Sequence, residues 1–377
     1  MISHNIYLDH NATTKLDGNV LEAMIPFFTE HYENPGSSHL AGLTVDEYIE
    51  EAFRQVADLI GCRTNEIIFT SGATESINLA IRGISHGERN HLVTLCTEHK
   101  AVLDTVKDHA EKSHLNCSIL PVQNDGLADL DLLEQAITGK TLLVSVMLVN
   151  NETGTIQYIK EISELVHAKG AFLLCDATQA VGKIPVNVQE LGIDLMAFSA
   201  HKFYGPKGIG ALYVSKDVKK YLSSQITGGG QQKNRRSGTL NVPGIIGMAK
   251  ACEIAKESMD HHAAYVKNLR DRLENRLLAI DGTSVNGSLR HRIFNTTNVV
   301  FKNVFSEQLI MALQHISVSS GSACSSVTTE PSHVLKGLGL NDEDALCSIR
   351  FSLGKDNTKE EIDVVVRRIS ELVAQFR

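Results

Sequence analysis

Through the first two-thirds of the chain, short apolar runs alternate with amphipathic segments. The runs are "NEIIFT" (65–70), "HLVTL" (91–95), "CSIL" (117–120), "TLLVSVMLV" (141–149), "AFLLCD" (171–176), "DLMAFS" (194–199) and "GALYV" (211–215). Between them lie helix-like segments such as "TESINLAIRGI", "HKAVLDTVKDHAEK", "LADLDLLEQAI" and "IKEISELVHAKG". Strands apolar on both faces and separated by helices predict an α/β fold with a mostly parallel sheet covered on both sides. In such sheets ligands bind beyond the carboxyl ends of the strands, so the residues just after each strand are the first place to look for chemistry.

From about residue 242 the texture changes. "VPGIIGMAKACEIAKESMDHHAAYVKNLRDRLENRLLAI" predicts one or two long helices. After it come strand-like "TTNVVF" (296–301), a helix near 306–315, strand-like "SIRFSL" (348–353) and a last amphipathic helix over 358–376. This pattern predicts a smaller α+β domain. The expected division is a large domain over 15–255 and a small one built from 1–14 and 256–377. No internal repeat or low-complexity tract interrupts the chain.

Composition narrows the function. Apolar residues make up 42% of the 377, ordinary for a globular protein. Lys and Arg number 36 against 44 Asp and Glu, a formal charge of −8, which argues against direct binding of nucleic acid by phosphate neutralisation. The N-terminus lacks the apolar core of a signal peptide, and the longest apolar stretch, 142–149, is too short to cross a bilayer. A cytoplasmic protein without membrane contact is expected. Its seven cysteines form no C-x-x-C pair, so no zinc ribbon or other metal site is expected, and most should fill core space.

Three strand ends carry candidate chemistry. After "IIFT", the segment "SGATES" (71–76) opens a helix and offers unpaired backbone N–H groups to a phosphate; the plain alternative is a helix capped by Ser71 or Thr74. After "AFLLC", Asp176 ends an apolar strand where a carboxylate needs a cationic partner, or else serves as another helix cap. After "DLMAFS", Lys202 precedes a glycine-rich turn, where a low-dielectric wall can strip its proton and make it a nucleophile. Lys207, inside that turn, reads as a surface lysine. Neither a Walker A sequence nor G-x-G-x-x-G is present. One cofactor uses all three features: pyridoxal 5′-phosphate needs a phosphate cup, a carboxylate for its pyridinium nitrogen and a Schiff-base lysine.

With those residues in place, the chain resembles the cysteine desulfurases. The likeness runs from "YLDHNATT" (7–14) through "NPGSSH" (34–39), "FTSGATES" (69–76), "TEHKAVL" (97–103), "VNNETG" (149–154), "DATQAVGK" (176–183), "FSAHKFYGPKGIGALYV" (198–214), "RRSGTLNV" (235–242) and "SSGSACSS" (319–326) to "SIRFSLG" (348–354). The resemblance implies a PLP-dependent fold of type I, like that of aspartate aminotransferase, and a homodimer. It implies Lys202 as the Schiff-base lysine, Asp176 on the pyridinium nitrogen, Gln179 on the phenolate oxygen, and His99 stacked on the ring and moving protons. Ala73, Thr74, Ser199 and His201 would hold the phosphate, and Thr239 would reach the phosphate of the neighbouring subunit. Asn151 and Arg350 would hold the substrate carboxylate, a task suited to the guanidinium fork. Without the family, His99 reads as a helix cap, and Arg350, in apolar "SIRFSL", demands a partner that a substrate carboxylate would supply.

The resemblance also gives Cys324 a purpose. It implies that this thiol takes the sulfur of L-cysteine as a persulfide, releases alanine, and passes the sulfur to an acceptor or scaffold protein for iron–sulfur cluster assembly or other thio-modification. Small residues around it (319–330) suit a segment that must travel. The ending at Arg377, shorter than in housekeeping relatives, leaves room for a donor dedicated to tRNA or DNA sulfur modification. Selenocysteine lyase, a non-catalytic sulfur-carrier subunit and an ordinary aminotransferase are the competing readings. Only the first would dispense with Cys324 while acting on a similar substrate.

Overall fold

Consecutive residues of the apolar runs feed two different cores, which is why the runs are unbroken. Ile67 and Phe69 join one core and Ile68 the other; Val144 joins the first and Leu143 the second; Leu173 and Leu174 divide in the same way. The structure, a computed structural model, describes residues 5–320 and 330–377. Cys324 and most of its small-residue segment therefore lie outside the described residues.

In chain order the strands are β1 (Ile6–Tyr7), β2 (Ile67–Thr70), β3 (His91–Leu95), β4 (Asn116–Leu120), β5 (Thr141–Met147), β6 (Phe172–Asp176), β7 (Leu195–Ser199), β8 (Gly210–Val214), β9 (Thr283–Val285), β10 (Thr296–Phe301), β11 (Ile316–Ser317) and β12 (Ser348–Ser352). The seven strands read from the apolar runs form one sheet, in the order β2-β8-β7-β6-β5-β3-β4. β8 is antiparallel to both of its neighbours and the other pairs are parallel, so the sheet is mostly parallel, as expected. All seven residues of β5, an inner strand between β6 and β3, are buried. Replacing a fully buried valine there, such as Val144, by a polar residue forfeits roughly 1.5–3 kcal/mol of transfer free energy before any unsatisfied hydrogen bond is counted.

A second, antiparallel sheet has the order β12-β10-β9, and β1 pairs in parallel with β11. Its core takes Ile6, Leu8, Val299, Phe301, Ile349 and Phe351. One helix, Val242–Leu277, serves both regions: its first half contributes Ile245, Met248 and Cys252 to the large core, and its second half Val266, Leu269 and Leu273 to the small one. Asn241 caps it through its side chain on the Gly244 N–H, with proline in the first turn. Cys175, Cys252 and Cys347 are buried, but half of the six described cysteines are not, against the expectation that most would fill core space: Cys62 and Cys96 are half-buried, and Cys117 is exposed because β4 is an edge strand. No helix among the described residues is long and apolar enough to cross a membrane.

Candidate active site

The carboxyl ends of β6 and β7 lie side by side, with Asp176 paired to Ala197. Just beyond them a cavity of about 550 Å³ opens. It is lined by Ala73, Thr74, His99, Asn151, Asp176, Gln179, Ser199, His201, Lys202 and Arg350, residues gathered from across the chain. Thr239 is exposed and is not among the lining residues.

At one wall the helix Ala73–Gly83 begins at Gly72, with no side-chain cap. The plain reading of Ser71 or Thr74 as the cap is thereby overturned: the Ser71 N–H instead donates to the Glu75 carboxylate at 2.8 Å, and Thr74 already lies inside the helix. Ser199 Oγ accepts the Ala73 N–H at 3.1 Å, bringing a hydroxyl to the open helix end. Gly210 makes this approach possible, since a Cβ there would come within 2.6 Å of Gly72 Cα and 2.5 Å of the Phe198 carbonyl oxygen. The helix end thus presents N–H groups and a positive dipole toward the cavity. His201, immediately before Lys202, bonds Thr13 through Nδ1 at 3.1 Å; burial and the nearby Lys202, Lys207 and Lys183 push its imidazole down to about 4.

Lys202 extends from β7 toward the 9–14 segment, and its amine donates to the carbonyl oxygens of Asn11 and Ala12, both at 2.7 Å. Asp176 is 6% exposed, and one carboxylate oxygen accepts the Thr178 N–H at 3.0 Å. Behind it Glu98 is fully buried, and burial with the Asp176 charge drives its carboxyl well above the usual range. His99 is the N-cap of the helix Lys100–Ser113: its Nδ1 accepts the Ala101 N–H at 3.0 Å. The helix-cap reading therefore holds, and it also fixes the ring chemistry. Burial, then Lys202 and His333, lower its pKa against the opposing pull of Asp176, so the imidazole is neutral with its proton on Nε2.

Arg350 corrects one expectation. Its guanidinium already has an internal carboxylate partner: Nη2 donates to Asp9 at 2.6 Å, and Nη1 donates to the Asn151 carbonyl oxygen at 3.0 Å. Nε has no partner and is buried, as is Thr178 Oγ1. The burial of a charge on β12 thus does not by itself require a substrate, although an unpartnered donor at the cavity wall invites one. Asp9 escaped the sequence reading, as did Asn11, whose side chain and backbone meet Asn151, Gln179, Lys183, Lys202, Asn295 and Thr296. The run "DHNATT" was the available sign.

This geometry has known counterparts. The aminotransferase class-V family model matches residues 6–365, and the chain belongs to that family. It is 48% identical over 378 residues to the cysteine desulfurase IscS of Pasteurella multocida, covering 99% of this chain and 93% of that protein. It is 47% identical to a mitochondrial cysteine desulfurase of Arthroderma benhamiae, covering 99% of this chain and 75% of the relative. Among solved structures, a NifS-like protein superposes with a TM-score of 0.92 at 38% identity, covering 98% of this chain and all of that one. A structure described as SspA in complex with cysteine gives 0.84 at 33% identity, covering 94% of this chain and all of that one. The fold is therefore PLP fold type I, and the family's cofactor is pyridoxal 5′-phosphate. The residues present fit that group: an open helix end for its phosphate, a buried carboxylate, a lysine, a neutral imidazole and two unpartnered buried donor atoms converge on one cavity.

Proposed function

We propose that this chain is a pyridoxal-phosphate-dependent cysteine desulfurase that converts L-cysteine to L-alanine and leaves the sulfur as a persulfide on Cys324. The observation that carries the reading is the convergence of Lys202, Asp176 and the uncapped helix end at Gly72 on one cavity. The bound cofactor supplies an electron sink for bonds at the substrate's α-carbon. Lys202 would hold the cofactor, and its amine would move a proton as general acid–base. Asp176 would pair with the ring nitrogen. Gln179 would donate to the phenolate oxygen. Ala73, Thr74, Ser199 and His201 would hold the phosphate, with Thr239 of a second copy reaching the same phosphate in a homodimer. His99 would face the ring and present Nε2. Asn151 and Arg350 would hold the substrate carboxylate.

The Cys324 thiolate attacks the substrate sulfur; the C–S bond breaks, an S–S bond forms, and a proton completes the alanine methyl group. Atoms balance as cysteine plus thiol giving alanine plus persulfide. The sulfur then passes to an acceptor or scaffold protein, with iron–sulfur cluster assembly in the cytoplasm as the destination. We assign 15–255 to the large domain and 1–14 with 256–377 to the small one.

The test measures the visible band after adding pyridoxal phosphate, then alanine and sulfide released from L-cysteine. Wild type should show both, Lys202→Ala should lose the band, and Cys324→Ala should keep the band and lose alanine formation. Undiminished alanine from Cys324→Ala would replace this reading by a lyase that needs no protein thiol.

A further inference from the structure

Lys183 is a buried amine that the reaction above does not use. It is 8% exposed and does not line the cavity, yet its Nζ donates to Gln179 Oε1 at 2.6 Å and to Asn11 Oδ1 at 3.4 Å. Both recorded acceptors are amide oxygens rather than carboxylates. The charged and titratable groups around it are Lys202, Arg350, His10 and His201. Burying a lysine without a counter-ion is costly, and such groups cluster at functional sites.

We propose that Lys183 is a positioning residue that fixes which end of the Gln179 amide faces the cofactor cavity. The two ends of a glutamine amide have nearly the same shape and opposite hydrogen-bonding character. Burial, Lys202 and Arg350 lower the Lys183 pKa well below the usual lysine value, but the amine carries N–H donors in either protonation state and directs one at Gln179 Oε1. On the other side, the Asn11 carbonyl accepts Gln179 Nε2 at 2.9 Å, and a carbonyl only accepts. Both neighbours impose the same orientation. With one N–H on Asn11, the second N–H of the amide remains for an oxygen in the cavity. The Asn11 carbonyl also accepts from Lys202, so the amide and the Schiff-base lysine share one anchor. Gly182, at φ +75, places Lys183 behind the amide; a Cβ there would lie 2.6 Å from the Phe203 side chain.

This inference rests on the proposed pairing of Gln179 with the cofactor's phenolate oxygen. Lys183→Met removes the donor from behind the amide and frees the amide to turn its oxygen into the cavity. An acceptor facing the phenolate raises the proton affinity of the lysine-bound cofactor.

The experiment titrates the visible band of the loaded enzyme against pH for wild type, Lys183→Met, Lys183→Gln, Gln179→Leu and the double variant Lys183→Met with Gln179→Leu. Thermal unfolding confirms that each is folded. The Lys183→Met midpoint should rise by about one pH unit, a shift of the size that one hydrogen bond or neighbouring charge produces. Lys183→Gln, which keeps an N–H donor, should restore at least half of that. On the Gln179→Leu background the Lys183 substitution should add little, since its effect runs through the amide. A merely structural lysine would lower the unfolding temperature and leave the midpoint alone. An unmoved midpoint in Lys183→Met, or a full shift persisting without Gln179, overturns the inference. A wild type that gains no band with pyridoxal phosphate overturns the cofactor reading itself, a distinguishable outcome.

Discussion

The Asp9–Arg350 pair links the first residues of the fold to β12, and breaking it should separate stability from substrate binding. The guanidinium side chain is 4% exposed and the Asp9 side chain 17%, at an N–O distance of 2.6 Å. At an effective dielectric of about 20, two unit charges at that separation attract by roughly 6 kcal/mol, much of which desolvation offsets. Removing one partner leaves the other charge buried, which costs about 3–5 kcal/mol in fully enclosed pairs. Here Arg350 keeps its bond to the Asn151 carbonyl, so the lower end applies. Asp9→Ala should therefore destabilise the cofactor-free enzyme by about 3 kcal/mol, and Asp9→Asn, which keeps an acceptor, by about 2. Asp9→Ala combined with Arg350→Met should be less unstable than the sum of the singles by about 2 kcal/mol, because no lone buried charge remains. Urea unfolding of the cofactor-free proteins measures this without ligand linkage. The functional sign is opposite: Asp9→Ala frees Nη2 for a substrate carboxylate, so KM for L-cysteine should fall while stability falls. Asp9→Asn within about 0.5 kcal/mol of wild type, or strictly additive singles, would refute the reasoning, since surface pairs behave that way.

Asn11 is 3% exposed, and Asn11→Ala strands donors on Lys183 and Asn295; unfolding in urea should show a loss of about 2–4 kcal/mol. Gly210→Ala drives a methyl against Gly72 and should weaken pyridoxal phosphate binding at least tenfold, about 1.4 kcal/mol, by absorbance titration; unchanged affinity would mean the helix end does not hold the phosphate. His10 and His201 should make stability rise with pH between about 4 and the unfolded histidine value near 6.5. Over that window the unfolded chain binds protons that these native histidines, both pushed down to about 4 by burial, do not. The full effect for His10 is about 3 kcal/mol, less for the more exposed His201, while His167, raised by Asp194, and the buried carboxyls Glu98 and Glu152, raised by desolvation, contribute in the opposite direction. The change in urea midpoint from pH 5 to 7 should therefore be less positive in His10→Asn than in wild type; an unaltered change would count against it.

The inner strands of the large sheet were legible because neighbouring apolar side chains along them enter one core or the other, with only isolated polar residues between; β4, at the sheet edge, is largely exposed. The helix Leu40–Ile60 was not read. It exposes Leu40, Leu43 and Tyr48 alongside its buried face, which blurs the apolar stripe, and its cap is His39 through Nδ1 rather than a serine or aspartate. The two-residue strands β1 and β11 are too short to leave a pattern. Asp176 and Lys202 stood out because they end apolar strands. Lys183 did not, because a lysine in a turn defaults to solvent, and nothing in the local sequence says that Phe203 and Asn11 will close over it. Asp9 and Asn11 act through partners more than a hundred positions away, a relation that only the fold supplies.

The pairing of β1 with β11 sets an order of assembly during synthesis. The cavity-facing helix end at Gly72, Asp176 and Lys202 all emerge within the first 202 residues, and domains tend to fold as they leave the ribosome. The carbonyls that receive the Lys202 amine belong to residues 11 and 12, yet that segment is held by Ile316, Arg350 and Ser352. The oldest part of the chain waits for nearly the youngest. A nascent or truncated polypeptide would own Lys202 without the carbonyl clasp that holds its amine, so the assembled cavity arrives only once β12 has been made.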